Sequence, residues 1–191
     1  VTAYHLTVVD NTADQGGGVY TVATFGFDVG HSVFEQNTST DGSSPDCSGL
    51  IEHLGYNVFE DASGCTIPAG TSVDGATVGL DALGNNGGST RTYAFADPAS
   101  SLAVNAIPED DCTISADQRG QARSGYCDIG AYEYQDTVAP AVTLLGDNPL
   151  YITQGDDVDS IVDPGATVTD DIDGSWACLL YTSDAADDEL G

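Results

Sequence analysis

The sequence predicts an all-β protein, and two observations carry that prediction. No long stretch of the 191 residues spaces apolar side chains three and four apart, as a helix face requires. Short alternating or β-branched runs cut by Gly, Asn, Asp and Ser recur instead: HLTVV (5–9), GVYTVATF (18–25), STRTYAF (89–95), AVTLL (141–145), LYIT (150–153) and GATVT (165–169). A third observation orders the first residues into a repeat. HLTVVDNT (5–12) lies over HSVFEQNT (31–38), matching His5 with His31, Asn11 with Asn37 and Thr12 with Thr38, and setting Val8 over Phe34. The offset, 26 residues, falls in the range of stacked solenoid coils. In such a stack the apolar column fills the interior, and Asn11 and Asn37 form a turn column able to hydrogen-bond along it. The two histidines read as a structural column at a coil edge rather than as metal ligands.

The totals bound the function. Three Lys+Arg stand against 31 Asp+Glu, a formal net charge of -28. Such a polyanion repels phosphate backbones and anionic headgroups, so nucleic acid and membrane surfaces are excluded as partners. Cations remain, either bulk salt or Ca²⁺, and the default reading is the solvated acidic surface of a secreted protein. With 40% hydrophobic residues, 23 Gly and 7 Pro, the composition is globular and turn-rich. No run approaches the roughly 18 apolar residues of a membrane helix. The opening VTAYHLTVVDN starts inside strand-like sequence without Met, which predicts an internal fragment lacking upstream coils.

NTADQGGGVY (11–20), followed one coil later by SVFEQNTS (32–39), resembles the rungs of bacterial surface proteins built as right-handed parallel β-helices. DCSG (46–49), LGYN (54–57), LGNNGGSTRTYA (83–94) and DQRGQARSGYCDIGAYEY (117–134) are similar, in that order, to the C-terminal part of the choice-of-anchor Q domain. The family usually has proline where Ser89 stands, and a Ser-Pro-Ala-Ile-Asp segment where this chain has SLAVN (101–105). The resemblance covers residues 1–134. It implies that residues 1–46 are the last coils of a β-helix and 47–135 an irregular, disulfide-bonded C-terminal cap.

A last coil leaves backbone groups and an apolar interior without a neighbour, an aggregation hazard unless covered. Arg119 and Arg123 fall in the window DQRGQARSGYCD (117–128) of a chain with no lysine. They read as structural forks across the loops of the cover, with Asp117, Asp128 and Glu133 as acceptors, because guanidinium stays charged and donates several bonds in a fixed plane. Cys47, Cys65, Cys112 and Cys127 can pair locally as 47–65 and 112–127, although three connectivities are formally open. No C-x-x-C spacing points to zinc or to a thioredoxin-like centre. Disulfides imply an oxidising compartment outside the cytosol, and an extracellular or cell-surface location.

After the linker QDTVAP (135–140), the segments TLLGDNP (143–149), DPGATVTD (163–170) and DIDG (171–174) resemble the first half of bacterial surface Ig-like domains. A sandwich needs on the order of 100 residues, so 136–177 is expected to be an incomplete set of strands with an uncovered apolar face. Asp170, Asp171 and Asp173 are calcium candidates, and Ca²⁺ is the one cofactor the sequence could take. An EF-hand loop is excluded, because Thr169 and Leu180 stand where acids are needed. The tail CLLYTSDAADD (178–188) resembles the translation of a common transposase sequencing adapter. Residues 178–191, with the odd thiol of Cys178, are therefore expected to be non-native.

Two function classes remain. A lyase acting on uronates needs cationic groups, and residues 1–90 contain no Lys or Arg. Paired carboxylates for glycoside hydrolysis, such as Asp10 with Glu35, cannot be singled out among so many acids. Nucleophilic chemistry has only His5, His31 and His53 to draw on, with no G-x-S-x-G elbow. The expected role is a non-catalytic, adhesin-like surface protein whose partners are extracellular glycans or surface proteins, with no catalytic residues in this stretch. The alternative is the end of a β-helical polysaccharide lyase or hydrolase with its active site upstream.

Overall fold

Frequent Gly, Asn and Asp leave room only for short strands between corners, and a computed structural model shows how they assemble. It describes residues 1–22, 26–42, 45–65, 70–147 and 164–178, with the backbone alone for 176–178. The protein is all-β with several parallel sheets, and its chain divides into two compact units, Val1–Gln135 and Asp136–Gly191.

In the first unit the chain runs through three layers. The first layer holds β1 (Thr2–Tyr4), β2 (Thr7–Val9), β3 (Thr12–Ala13) and β4 (Val19–Tyr20). The second holds β5 (Phe27–Gly30), β6 (Val33–Glu35), β7 (Thr38–Ser39) and β8 (Cys47–Ser48). Each of these pairs in parallel with its counterpart in the first layer. The repeat is directly visible in the register, which sets Val8 beside Phe34 and Thr12 beside Thr38. β9 (Ile51–His53) and β10 (Val58–Phe59) add a third layer on β5 and β6, and β11 (Val73–Asp74) adds one more strand on β10. Parallel pairing thus runs on past residue 46. Cys47–Phe59 continues the parallel pairing, because Ile51, Val58 and Phe59 supply the next members of the apolar columns.

The corners explain why polar residues recur in the repeat. His5 and His31 take left-handed φ of 54° and 57°, as do Asp10 and Gln36 at 60° and 57°. Such corners interrupt the ladder and leave backbone N–H groups to be satisfied from the next layer. Leu6 N donates to Ser32 Oγ (3.0 Å), Ser32 N to Asn57 Oδ1 (3.1 Å), and Asn57 N to Ser72 Oγ (3.2 Å). At a second corner Asn11 N donates to Asn37 Oδ1 (3.1 Å). Asn37 Nδ2 then donates to Asp46 Oδ1 (2.9 Å), whose Oδ2 accepts from Asp61 N (2.8 Å).

Alternation along the central strands sends side chains into two cores. Phe34 and Phe59 point one way, into a cluster with Val29, Cys47, Ile51 and Ala62. Val33 and Val58 point the other way and meet Val78, Phe95, Ala103, Ile107, Cys127 and Ile129. The second cluster shows what covers this sheet. Residues 76–134 lie along the flank of the β2–β6–β10 sheet, whose outward face is apolar and needs cover. They reach the first layer through Ala131 N to Thr7 Oγ1 (2.9 Å), the second through Gly130 N to the His31 carbonyl (2.8 Å), and the third through Tyr56 Oη to Asp111 Oδ2 (3.0 Å). Gly130 sits at φ +100°, and a Cβ there would stand 2.8 Å from Thr7 Oγ1. No side chain fits that approach.

The flank is irregular, with one 3-10 turn (Glu109–Asp111) and isolated antiparallel bridges. STRTYAF, expected as a strand, provides only two of these bridges, Thr92 with Gly84 and Phe95 with Leu80. Disulfides join Cys47 to Cys65 and Cys112 to Cys127. The second closes a separation of 15 residues inside the flank, which the chain-entropy relation values at about 3 kcal/mol. Replacing both Cys112 and Cys127 by alanine is expected to lower stability by that order in urea titrations. An unchanged midpoint would mean the flank is held without the bridge.

The second unit contains an antiparallel sheet ordered β12 (Ala141–Leu144), β13 (Ala166–Asp170), β14 (Gly174–Cys178). β12 is exposed along its whole length, while Ala166 on β13 is buried. The LYIT segment and residues 179–191 of the tail lie outside the described residues. Among the described residues no helix is long and apolar enough to cross a membrane.

Candidate functional site

The window DQRGQARSGYCD folds back on itself through the Ala116–Ala122 bridge and meets residues 128–134, which places both arginines beside the same carboxylate-bearing turn. Arg119 donates from Nε to Asp117 Oδ2 (2.7 Å), from Nη1 to the Asn86 carbonyl (3.2 Å) and from Nη2 to the Glu133 carbonyl. Its guanidinium lies 3.6 Å from the centroid of the Tyr132 ring, a cation–π contact. Arg123 is buried. It donates from Nη1 to Glu133 Oε2 and to the Asp128 carbonyl (3.1 Å), and from Nη2 to the Gly130 carbonyl (2.7 Å). Arg91 is exposed.

The carboxylates serve the backbone as well. Asp117 Oδ1 accepts from the N–H groups of Arg119 (2.8 Å) and Gln121 (2.9 Å), and its Oδ2 accepts from Glu133 N (3.0 Å). Burial pushes its pKa up, but these donors and the Arg119 side chain outweigh burial and hold it below the ordinary value. Asp128 accepts Asn105 N at Oδ1 (2.8 Å) and Tyr134 N at Oδ2. Arg123 reaches this residue through its carbonyl rather than its carboxylate. Burial raises Asp128 to about 6, and burial followed by the nearby Asp128 charge raises Glu133 to about 7. Every group in this cluster is turned inward, and its hydrogen bonds tie the flank together.

The histidines belong to the same neighbourhood. His5 and His31 are buried, edge to face at 4.8 Å between centroids, with Nε2 of the first 3.2 Å from Nδ1 of the second. Thr113 Oγ1 lies 3.3 Å from His31 Nδ1, and Tyr4 and Tyr56 flank the His31 ring. His53 instead packs edge-on against Phe59. Burial, then Arg123 and His31, lowers His5 to about 3, and burial lowers His31 as well.

These shifts have opposite consequences for stability. His5 binds its proton in the unfolded chain at its ordinary pKa near 6.5 but in the folded one only near 3. Its contribution is therefore complete above about pH 6.5 and is lost as pH falls toward 3. The raised acids Asp128 and Glu133 bind protons more tightly when folded, so their contribution is present at low pH and is lost as pH rises through 6 and 7. The two trends oppose each other in the wild-type chain between about pH 5 and 6.5. A His5→Gln variant removes only the first, so relative to wild type it should gain stability on acidification from pH 7 to 5, approaching about 1.4 kcal/mol per pH unit. Parallel melting curves of the two proteins across that range would contradict this.

Several residues with structural roles carried no sequence signal strong enough to single them out. Asn57, Ser32 and Asp46 bridge layers, and Asn86 gives its carbonyl to Arg119. Glu35, considered as half of a hydrolytic pair with Asp10, is fully buried and accepts Val78 N at 2.9 Å, whereas Asp10 is exposed and accepts from Tyr93 Oη. In the second unit Asp136, Asp170 and Asp171 bring carboxylate oxygens within 4.8 Å of one another. Asp173 does not join them; its N–H and that of Ile172 donate to Asp170 Oδ1, and these donors hold Asp170 below its ordinary pKa. Comparison of the chain with family models, with curated proteins and with solved structures yields no match.

Proposed function

We propose that this chain is part of an extracellular, adhesin-like structural protein. On this reading the parallel layers are coils of a right-handed β-helix of the choice-of-anchor Q kind, and the second unit is part of a bacterial surface Ig-like module. The observation that carries the reading is the 26-residue register that sets β1, β2 and β3 beside β5, β6 and β7, kept by backbone pairing and by side-chain bonds such as Asn11 to Asn37. A surface built by stacking grows by adding layers, and its faces meet partners through many small contacts rather than one deep pocket. The first layer has the character of a stacking edge: Val8 and Asn11 are more exposed than their second-layer counterparts Phe34 and Asn37. The disulfides favour an oxidising compartment. Two of the three arginines, the cations a uronate-cleaving site would draw on, are engaged inside the flank, Arg119 at Asp117 and Arg123 at Glu133.

Two measurements test the proposal. Placing a second copy of residues 27–50, the stretch from Phe27 up to its register partner Ile51, ahead of Val1 should raise the melting temperature and lengthen the particle by about 4.8 Å, one strand spacing. A destabilised chain with an unstructured extension would overturn the stacked-coil reading. Polysaccharides incubated with the chain should be retained without cleavage; release of reducing ends or of unsaturated uronates would favour the enzymatic alternative.

A further inference from the structure

The exposed surface of this strongly acidic chain is interrupted by an aromatic ring. Tyr20, on β4, is 52% exposed and borders two grooves. One is lined by Ala13, Asp14, Gln15 and Asp41, and the other by apolar side chains including Val22 and Phe27. The polar groove is built across layers. Asp41 N donates to the Asp14 carbonyl (3.2 Å), which stacks the two acidic residues one layer apart. Asp14 Oδ1 accepts Thr40 Oγ1 at 2.8 Å, and Asp41 Oδ1 accepts Ser39 Oγ at 2.8 Å. Each carboxylate is thus oriented by a hydroxyl before any ligand arrives. The bend that brings Tyr20 back toward them depends on the QGGG run. A Cβ on Gly17 would stand 2.5 Å from the Thr38 carbonyl, so the chain can pass so close to the second layer only as glycine.

We propose that this groove binds a neutral saccharide, with one face of a sugar ring against Tyr20 and its hydroxyls bonded to Asp14, Gln15 and Asp41. The ring supplies a flat apolar surface for axial C–H groups, with its own hydroxyl at the wet end. Ionised carboxylates accept from sugar hydroxyls more strongly than neutral acceptors do, and each offers several lone pairs. The charge of the groove and of the chain as a whole selects against uronates and other anionic sugars. The inference rests on the surface-protein reading and gives that surface a ligand class and a place.

The test is titration calorimetry of the full chain with neutral pentasaccharides of glucose and of mannose, against trigalacturonate at equal concentration. Binding to at least one neutral sugar is expected, with at least tenfold weaker binding to trigalacturonate. Tyr20→Ala should lower the affinity at least tenfold, whereas Tyr20→Phe, which keeps the stacking face, should stay within about threefold. Asp14→Asn should weaken binding less than Tyr20→Ala. Because Tyr20 is exposed, melting temperatures close to wild type are expected and show that the variants are folded. Binding of no neutral sugar, preference for trigalacturonate, or undiminished binding by a folded Tyr20→Ala variant overturns the groove assignment. None of these outcomes alters the layer-addition measurement, so failure of the groove is distinct from failure of the stacked-coil reading.

Discussion

Replacing Arg123 by alanine is expected to destabilise the Val1–Gln135 unit by about 3–5 kcal/mol, the range for removing one partner of a buried ion pair. The size follows from what the guanidinium leaves behind. Glu133, buried, would keep only the Asp128 N–H at its Oε2, and the Asp128 and Gly130 carbonyls would lose their side-chain donor. Domains of ordinary stability have about 5–15 kcal/mol in total, so the loss would be a large fraction. Urea titrations followed by far-UV circular dichroism should show it as a lower midpoint. Arg119→Ala should cost less, because Asp117 retains three backbone donors. The double replacement Arg123→Met with Glu133→Leu should recover part of the loss, since no unpaired charge is then buried. It should not recover all of it, because Asp128 N and two carbonyls still lack their partners. A loss from Arg123→Ala below about 1 kcal/mol, the value of an exposed ion pair, would show that the buried fork does not hold the flank.

How far the sequence exposed this arrangement depends on the distance between partners. Arg119, Arg123 and the carboxylates that face them lie within seventeen residues, from Asp117 to Glu133, so their scarcity and clustering pointed at each other. The repeat was readable because corner residues are chosen by backbone chemistry. Asn37 recurs one layer after Asn11 and accepts its N–H, so the repeated amide marks a corner. At the other corner that need is met by Ser32, then Asn57, then Ser72, and the change of residue type hid the column. The third layer was missed for a related reason. Val33-Phe34-Glu35 does return as Val58-Phe59-Glu60, but at an offset of 25 rather than 26 and without the His, Asn and Thr that mark the first two copies. The flank was illegible in principle to local pattern. Thr7 meets Ala131 across 124 residues, and nothing near either residue announces the other. Glu35 illustrates the same limit: an acid on a strand reads as solvent-facing or catalytic until Val78 N is found against it.

Phe34→Ala is expected to cost about 3–5 kcal/mol, the usual range for emptying a core aromatic position. The residue is fully buried on β6, which lies between β2 and β10, so neighbouring strands stand on both sides. Its ring stacks on Phe59 at 4.7 Å with an interplanar angle of 7°, and its register partner on the other side is Val8. The cavity cannot close by moving one strand, since β6 also carries Val33 into the opposite cluster and bonds through Glu35 to the flank. Collapse toward one core would pull the strand out of the other. Phe59→Ala should cost a similar amount. In a double-mutant cycle the two should couple by about 0.5–1.5 kcal/mol, the contribution of an aromatic pair beyond its buried area. Additive losses would mean that each ring contributes only its own burial and that the layers are joined by their backbones alone. Coupling of the expected size would make the stacked rings a direct link between successive layers.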